Sequence, residues 1–228
     1  MNLKTLLKLK NYLLPASTVL MFHHITEGGT QNSISLTKQR FEKLLNSYSC
    51  FGSMRDVLHA PKEKRIALSF DDGYSDLLTV AYPILQARSI PFTVFVSPFF
   101  LGKDGYITSE QLLTLAADPL VTIGSHSMTH LSLAGKKSEI QRNELQKSKE
   151  QLEMLLGTEV ILFAYPNGQA DKTTFRILNE TRAYRFAFLA SGGGFRNTEK
   201  NPFALPRLRV DEKTYHESST LLNIVYHR

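Results

Sequence analysis

Apolar and polar positions along this chain switch between two periods. Short β-branched or apolar runs, Thr18–Phe22 and residues 65–70, 91–97, 120–123, 160–165 and 185–190, read as strands. Between them, apolar residues recur every three or four positions. Residues 36–48 carry Phe41, Leu44, Leu45 and Tyr48 at that spacing and read as a helix. A further helical segment runs to Arg88 through Pro83, which lacks an amide donor and should end or restart it. Residues 109–117 and 171–181 form shorter helices. Residues 135–157 form the longest, with Leu145, Leu152 and Leu156 on one stripe, a Lys149/Glu153 pair one turn apart, and Gly157 as its stop. Strands that are apolar throughout, alternating with helices, are the pattern of βα units around a parallel sheet or barrel. The chain of 228 residues shows no repeat, linker or low-complexity stretch, so a single α/β domain is expected.

Two segments interrupt this pattern with chemistry. Ser69-Phe70-Asp71-Asp72-Gly73 puts two adjacent carboxylates where a buried strand ends and a turn begins. Side by side they repel, and a cation on one of them relieves the repulsion. Further on, His126 and His130 lie four residues apart, a spacing that places both imidazoles on one face of a helical turn. Each segment follows a strand, and parallel strands of a barrel open their C-terminal ends onto one face. Asp, His and His from such ends make a three-ligand site with an open position, the layout of a catalytic zinc.

Charge and cysteine usage narrow the class. The net charge of +6 would suit an acidic glycan, a lipid-linked phosphate or an anionic membrane, but Lys and Arg are dispersed and no nucleic-acid module is visible. The lone Cys50 cannot form an internal disulfide, which fits a reducing compartment. Residues 1–17 read as a separate basic amphipathic helix, with Leu3, Leu6, Leu7, Leu13 and Leu14 among Lys4, Lys8 and Lys10. Packing on the barrel is its first reading, and contact of residues 1–14 with a membrane surface its second. Its apolar positions form no continuous block, so no cleaved signal and no transmembrane span are expected, and a cytoplasmic protein, at the membrane's inner face or free, is the expectation. The triplet Gly192-Gly193-Gly194 precedes no helix and reads as a rim loop rather than a phosphate cradle.

Together with Phe163-Ala164-Tyr165-Pro166-Asn167-Gly168, the segments 69–73 and 126–130, in this order and spacing, resemble the polysaccharide deacetylases of carbohydrate esterase family four. The resemblance covers residues 18–210 and implies a distorted seven-stranded (β/α) barrel that removes acetyl groups from sugars with one divalent metal, most often zinc. Residue by residue, it makes Asp72, His126 and His130 the metal ligands and Asp71 the general base. It also makes the 166–168 turn, through the Asn167 amide, a donor to the developing oxyanion, with Tyr165 and Pro166 beside the substrate. The chain departs from the family pattern twice. The C-terminal Leu-x-His that supplies an acid in many members is replaced by a bare Tyr226-His227, a poor anchor at a chain end. The strand-end His23-His24 is similar to the acid of a permuted subgroup that deacetylates poly-N-acetylglucosamine, which assigns the acid to His23 with His24 as alternate. The Arg that orients the base in many members is also missing, with Ala164 or Tyr165 in its place. Arg207 from a later strand is the replacement and Arg209 its alternate, since strand alternation points both to one side. The implied partner is an N-acetylated saccharide: a glycan, a lipid-linked intermediate or a nucleotide sugar. A metallohydrolase of non-sugar amides or formamides, and a sugar-binding protein without turnover, are the competing readings. Oligomeric state is not readable from the sequence.

Overall fold

A computed structural model describes residues 17–29, 32–195, 198 and 200–226. In chain order it contains β1 (Thr18–Phe22), β2 (His24–Thr26), β3 (Ser35–Thr37), α1 (Lys38–Ser47), α2 (Met54–His59), β4 (Ile66–Phe70), α3 (Tyr82–Ala87), β5 (Phe92–Val96), α4 (Ser109–Ala116), β6 (Val121–Ser125), α5 (Ser138–Leu156), β7 (Leu162–Ala164), α6 (Lys172–Thr181), β8 (Phe186–Leu189), β9 (Leu205–Pro206), β10 (Leu208–Arg209) and α7 (Tyr215–Tyr226). The helix expected over residues 1–17 lies, apart from Ser17, outside the described residues, as does His227.

Every main strand is parallel to its neighbours, in the order β10-β1-β4-β5-β6-β7-β8-β9. The two outermost segments, β9 and β10, are separated in sequence by Arg207 alone. They are halves of one strand: its first half pairs with β8 (Phe188↔Leu205) and its second with β1 (Leu20↔Leu208). That broken strand closes the sheet, so eight segments make the seven-stranded (β/α) barrel that the sequence implies. A small pair, β2 with β3, sits beside it.

Period-two alternation divides the strand residues between two cores. Leu20, Phe22, Leu68, Phe70, Phe92 and Val94 pack outward under the helices. Val19, Ala67, Phe95, Leu162, Phe188 and Leu205 pack together inside the barrel, with Met54, Val57 and Leu58 of α2 against them. Phe95 fills this interior because β6 offers Gly124, where a Cβ would stand 2.5 Å from its ring. Continuing the inward positions up each strand leads from Val19 to His23, from Ala67 through Ser69 to Asp71, and from Leu205 to Arg207. The polar residues thus gather at the C-terminal mouth.

Local signals set the element ends. Ser53 with Asp56, and Thr108 with Gln111, form reciprocal capping boxes at α2 and α4. Asp171 caps α6, and Gly157 ends α5 in the left-handed conformation. Pro83 restarts the helix as expected: a π-helical turn, Leu77–Ala81, precedes α3, which holds Pro83 in its first turn. Among the described residues, no helix is long and apolar enough to cross a membrane.

Candidate active site

Asp71 and Asp72 leave β4 in different directions because Asp72 is left-handed, with φ 71°. Asp71 continues the inward face and is 2% exposed. Both of its oxygens accept from Arg207, Nη1 to Oδ1 at 2.6 Å and Nη2 to Oδ2 at 2.7 Å. The guanidinium is fully buried, lies 5.2 Å from the Phe95 ring centroid and also donates to Ser69 Oγ at 3.2 Å. Ser69 Oγ in turn donates to the Leu20 carbonyl at 2.8 Å, so the pair is framed on three strands. Burial would lift the Asp71 carboxyl, but Arg207, with His126 behind it, more than offsets this and holds it below the ordinary carboxylate range.

Asp72 turns toward the histidines. Its Oδ1 lies 3.2 Å from His130 Nε2 and 3.5 Å from His126 Nε2. Burial opposes its ionisation too, yet the hydrogen bond from His130 leads the interactions that keep it well below the carboxylate range. Burial lowers His126, against the pull of both carboxylates. Burial also works against the charged form of His130, but the bond to Asp72 outweighs it and raises that imidazole.

The expectation of a helical turn across 126–130 is wrong. The strand β6 runs on to Ser125, two residues beyond the expected end, and the segment after it is a loop with Ser127 at φ 65° and His130 at φ 60°. These left-handed residues, rather than a helical repeat, fold the chain back and bring the imidazole centroids to 4.8 Å.

Asp72, His126 and His130 each offer one ligand atom, all within 4.8 Å of one another. The donor set fits a divalent cation. His126 Nδ1 lies 2.8 Å from the Ala164 carbonyl, an acceptor only, so Nδ1 carries the hydrogen and the Nε2 lone pair faces Asp72. A lone pair and a carboxylate oxygen 3.5 Å apart repel unless a cation stands between them. Two imidazoles and one carboxylate are also the donors borderline-soft zinc accepts.

The remaining predicted residues divide. His23 is partly exposed at the end of β1; burial lowers its imidazole, although Asp71 and Asp72 pull it upward. His24 is engaged elsewhere, with Nδ1 2.7 Å from Asp76 and its ring stacked on Tyr74 at 3.7 Å. Arg209 is drawn away to Asp211 and the Ser33 carbonyl. Asn167 is exposed and left-handed (φ 56°) in the turn Pro166–Gly168 that follows β7. The Tyr165 side chain is fully buried, and its hydroxyl donates to the Phe203 carbonyl at 2.8 Å, so the ring packs in the core. Pro166 is buried beside it.

A family model for polysaccharide deacetylases matches residues 59–185, more than half of the chain. The chain belongs to the polysaccharide deacetylase family. This deacetylase-family chain is 28% identical over 202 residues to YxkH of Bacillus subtilis (strain 168), which is named for the same family; the alignment covers 84% of this chain and 70% of that protein. It is 29% identical over 129 residues to the peptidoglycan-N-acetylmuramic acid deacetylase PdaA of the same organism, covering 56% and 45%. IcaB from Ammonifex degensii has the same fold, with TM-score 0.79 at 21% identity over 91% of this chain and 97% of that one. So does the Streptococcus pyogenes deacetylase PplD, in complex with acetate, with TM-score 0.77 at 23% identity over 92% and 98%. The family match spans Asp71, Asp72, His126 and His130, while His23 and Arg207 reach the site from outside it.

Some site residues escaped the sequence reading. Ser69 stands in the first motif yet was given no role, because only the closed barrel shows Arg207 above it. Tyr74 and Tyr106 flank the mouth in a ring ladder, 4.9 Å apart, continued by Phe100 at 4.7 Å from Tyr106. A backbone bridge between Tyr74 and Tyr106 fixes that ladder. Tyr74 directly follows Asp71-Asp72-Gly73, and that adjacency was the available signal.

Proposed function

We propose that this protein is a metal-dependent hydrolase that removes N-acetyl groups from a saccharide, with Asp72, His126 and His130 as ligands, Asp71 as base and His23 as acid. The observation that carries this reading is the buried Arg207–Asp71 pair beside the Asp72, His126 and His130 donors. A structural ion pair needs no ligand cluster, and a structural zinc needs no oriented free carboxylate next to it. Zinc, when bound, would polarise the acetyl carbonyl and lower the pKa of water toward neutrality.

The rest of the chemistry falls to the chain. Arg207 engages one lone pair on each Asp71 oxygen and fixes the carboxylate plane, which leaves further lone pairs to take a proton from water. Water adds to the acetyl carbon as Asp71 accepts that proton. The C–N bond then breaks and His23 protonates the departing amine, giving acetate and a free amino sugar. To donate, His23 must first carry its proton, which burial opposes and the charges of Asp71 and Asp72 favour. The left-handed Asn167 turn would supply an amide donor to the oxygen that gains charge. The half-buried rings of Tyr74, Tyr106 and Phe100 at the mouth, together with the family membership, favour a saccharide over a small formamide.

The test is acetate release from a panel of N-acetylated oligosaccharides and nucleotide sugars, with and without chelator. Asp71→Asn should keep the metal and lower turnover by about 10²-fold or more. Undiminished turnover in that variant would remove Asp71 as the base. Full metal occupancy with no acetate from any substrate would instead favour a sugar-binding protein.

A further inference from the structure

Helix α5 has an unusual buried face. Its inward positions are Gln141, Glu144, Leu145, Ser148 and Leu152, so a carboxylate and a hydroxyl replace leucines on the stripe that packs against the barrel. Burying a carboxylate is costly unless its oxygens are satisfied. Glu144 is 8% exposed, and both of its oxygens are used on one residue: Thr129 donates its amide to Oε2 at 2.9 Å and its hydroxyl to Oε1 at 2.7 Å. One turn further along the same face, Ser148 Oγ accepts from Ser125 Oγ at 2.9 Å and is anchored by the Leu145 carbonyl and the Tyr184 hydroxyl.

The two gripped residues are those that immediately precede the histidines. Ser125 comes before His126 and Thr129 before His130, and their separation of four residues matches the separation of Ser148 from Glu144 on the helix. The segment between them has no regular hydrogen bonding of its own and holds the left-handed Ser127, with the left-handed His130 just after it, so its spacing must be imposed from outside. We propose that Glu144 and Ser148 are positioning residues for the metal: α5 acts as a rigid template, running antiparallel to the loop, that sets the distance between the two imidazoles. Glu144 holds the more demanding end, because His130 stands on the left-handed loop while His126 is already aligned by its strand and by the Ala164 carbonyl. This inference rests on the proposed role of His126 and His130 as ligands.

The experiment is zinc affinity of the full chain by competition with a chromophoric chelator, alongside urea unfolding of the metal-free protein. Glu144→Ala should weaken zinc binding by about 10- to 100-fold, the range found when outer-shell partners of metal ligands are removed. Glu144→Gln keeps one carbonyl acceptor for the Thr129 amide and should recover most of that loss. Thr129→Val, which deletes the hydroxyl contact and keeps the amide one, should fall between. Ser148→Ala should cost only a few-fold. Activity of Glu144→Gln and Thr129→Val at saturating zinc should approach wild type, with the defect returning as zinc is withdrawn. Unchanged zinc affinity in Glu144→Ala and Thr129→Val together with weakened apo stability would make Glu144 a structural residue and overturn the proposal. A wild-type chain that binds no zinc would overturn both the proposal and the ligand assignment beneath it.

Discussion

Removing Arg207 should unmask the cost of the Asp71 carboxylate. In Arg207→Met the principal neighbour that holds Asp71 ionised is lost, while the carboxyl stays buried. Breaking a buried pair by deleting one partner costs about 3–5 kcal/mol, because the other charge is left uncompensated. In a chain of this size each kcal/mol moves Tm by about 2–4 °C, so the expected fall is about 6–20 °C at pH 7. The pH dependence has a definite sign. In the wild type the folded Asp71 pKa is depressed, so its contribution is present above the unfolded value near 3.9 and is lost as pH falls through the folded value. In Arg207→Met burial dominates and lifts the folded pKa above the unfolded one, so stability lost near neutrality returns as the pH is lowered. Urea unfolding of the metal-free protein at pH 7 and pH 4.5 reads this directly, without a contribution from bound ion. Asp71→Asn in the Arg207→Met background should cost much less than the sum of the single changes, with a coupling of about 2 kcal/mol or more. Additive costs, or a loss below about 1 kcal/mol for Arg207→Met, would refute the claim that the two charges depend on one another.

Two further outcomes are expected. His23→Ala should slow deacetylation by about 10²-fold or more, whereas His24→Ala, whose ring is committed to Asp76 and Tyr74, should change it only a few-fold; the reverse order in steady-state kinetics would move the acid to His24. Burial would lift the Asp171 carboxyl, but the Gly135 and Thr174 amides, with the Thr174 and Gln141 side chains, together outweigh it and hold it at about 2, so its stabilisation is present above its unfolded value and is lost as pH falls toward 2. Asp171→Ala should cost about 1–2 kcal/mol at pH 7 and almost nothing near pH 2; an equal loss at both values, measured by chemical unfolding, would exclude the cap as the cause.

The fold was largely legible because its strands are short, mostly apolar runs and its helices are punctuated by strong stop signals, such as Gly157 and Pro83. What the pattern could not show was the break at Arg207. Two-residue strand segments leave no periodic signature, and the inward direction of Arg207 depends on closure by residues far away in sequence. The site was legible as a set of residue types. Its local geometry was read wrongly at 126–130, where a spacing of four suggested a helical turn and the backbone instead adopts left-handed conformations at Ser127 and His130. Tyr165 sits in the third motif yet its side chain belongs to the core, since its position directly after β7 turns the ring toward Phe163 and the Phe203 carbonyl. Glu144 was detectable in principle: a carboxylate on an otherwise inward stripe demands a partner. No partner could be named without knowing that α5 lies along the histidine loop.

The broken closing strand ties chemistry to the order of synthesis. Asp71 and Arg207 are 136 residues apart, and the segment bearing Arg207 is the last of the barrel to leave the ribosome. Until it does, β1 and β8 are open sheet edges and Asp71 faces the interior without its counter-charge. A nascent chain can therefore assemble the Asp72, His126 and His130 cluster before it can hold the base in place. Contacts of such long range close slowly, so the half-built barrel is the species most exposed to edge pairing and to chaperone capture. If the proposed roles hold, an oriented base arrives in the same step that removes the last edge, and an unfinished chain would carry the Asp72, His126 and His130 cluster without it.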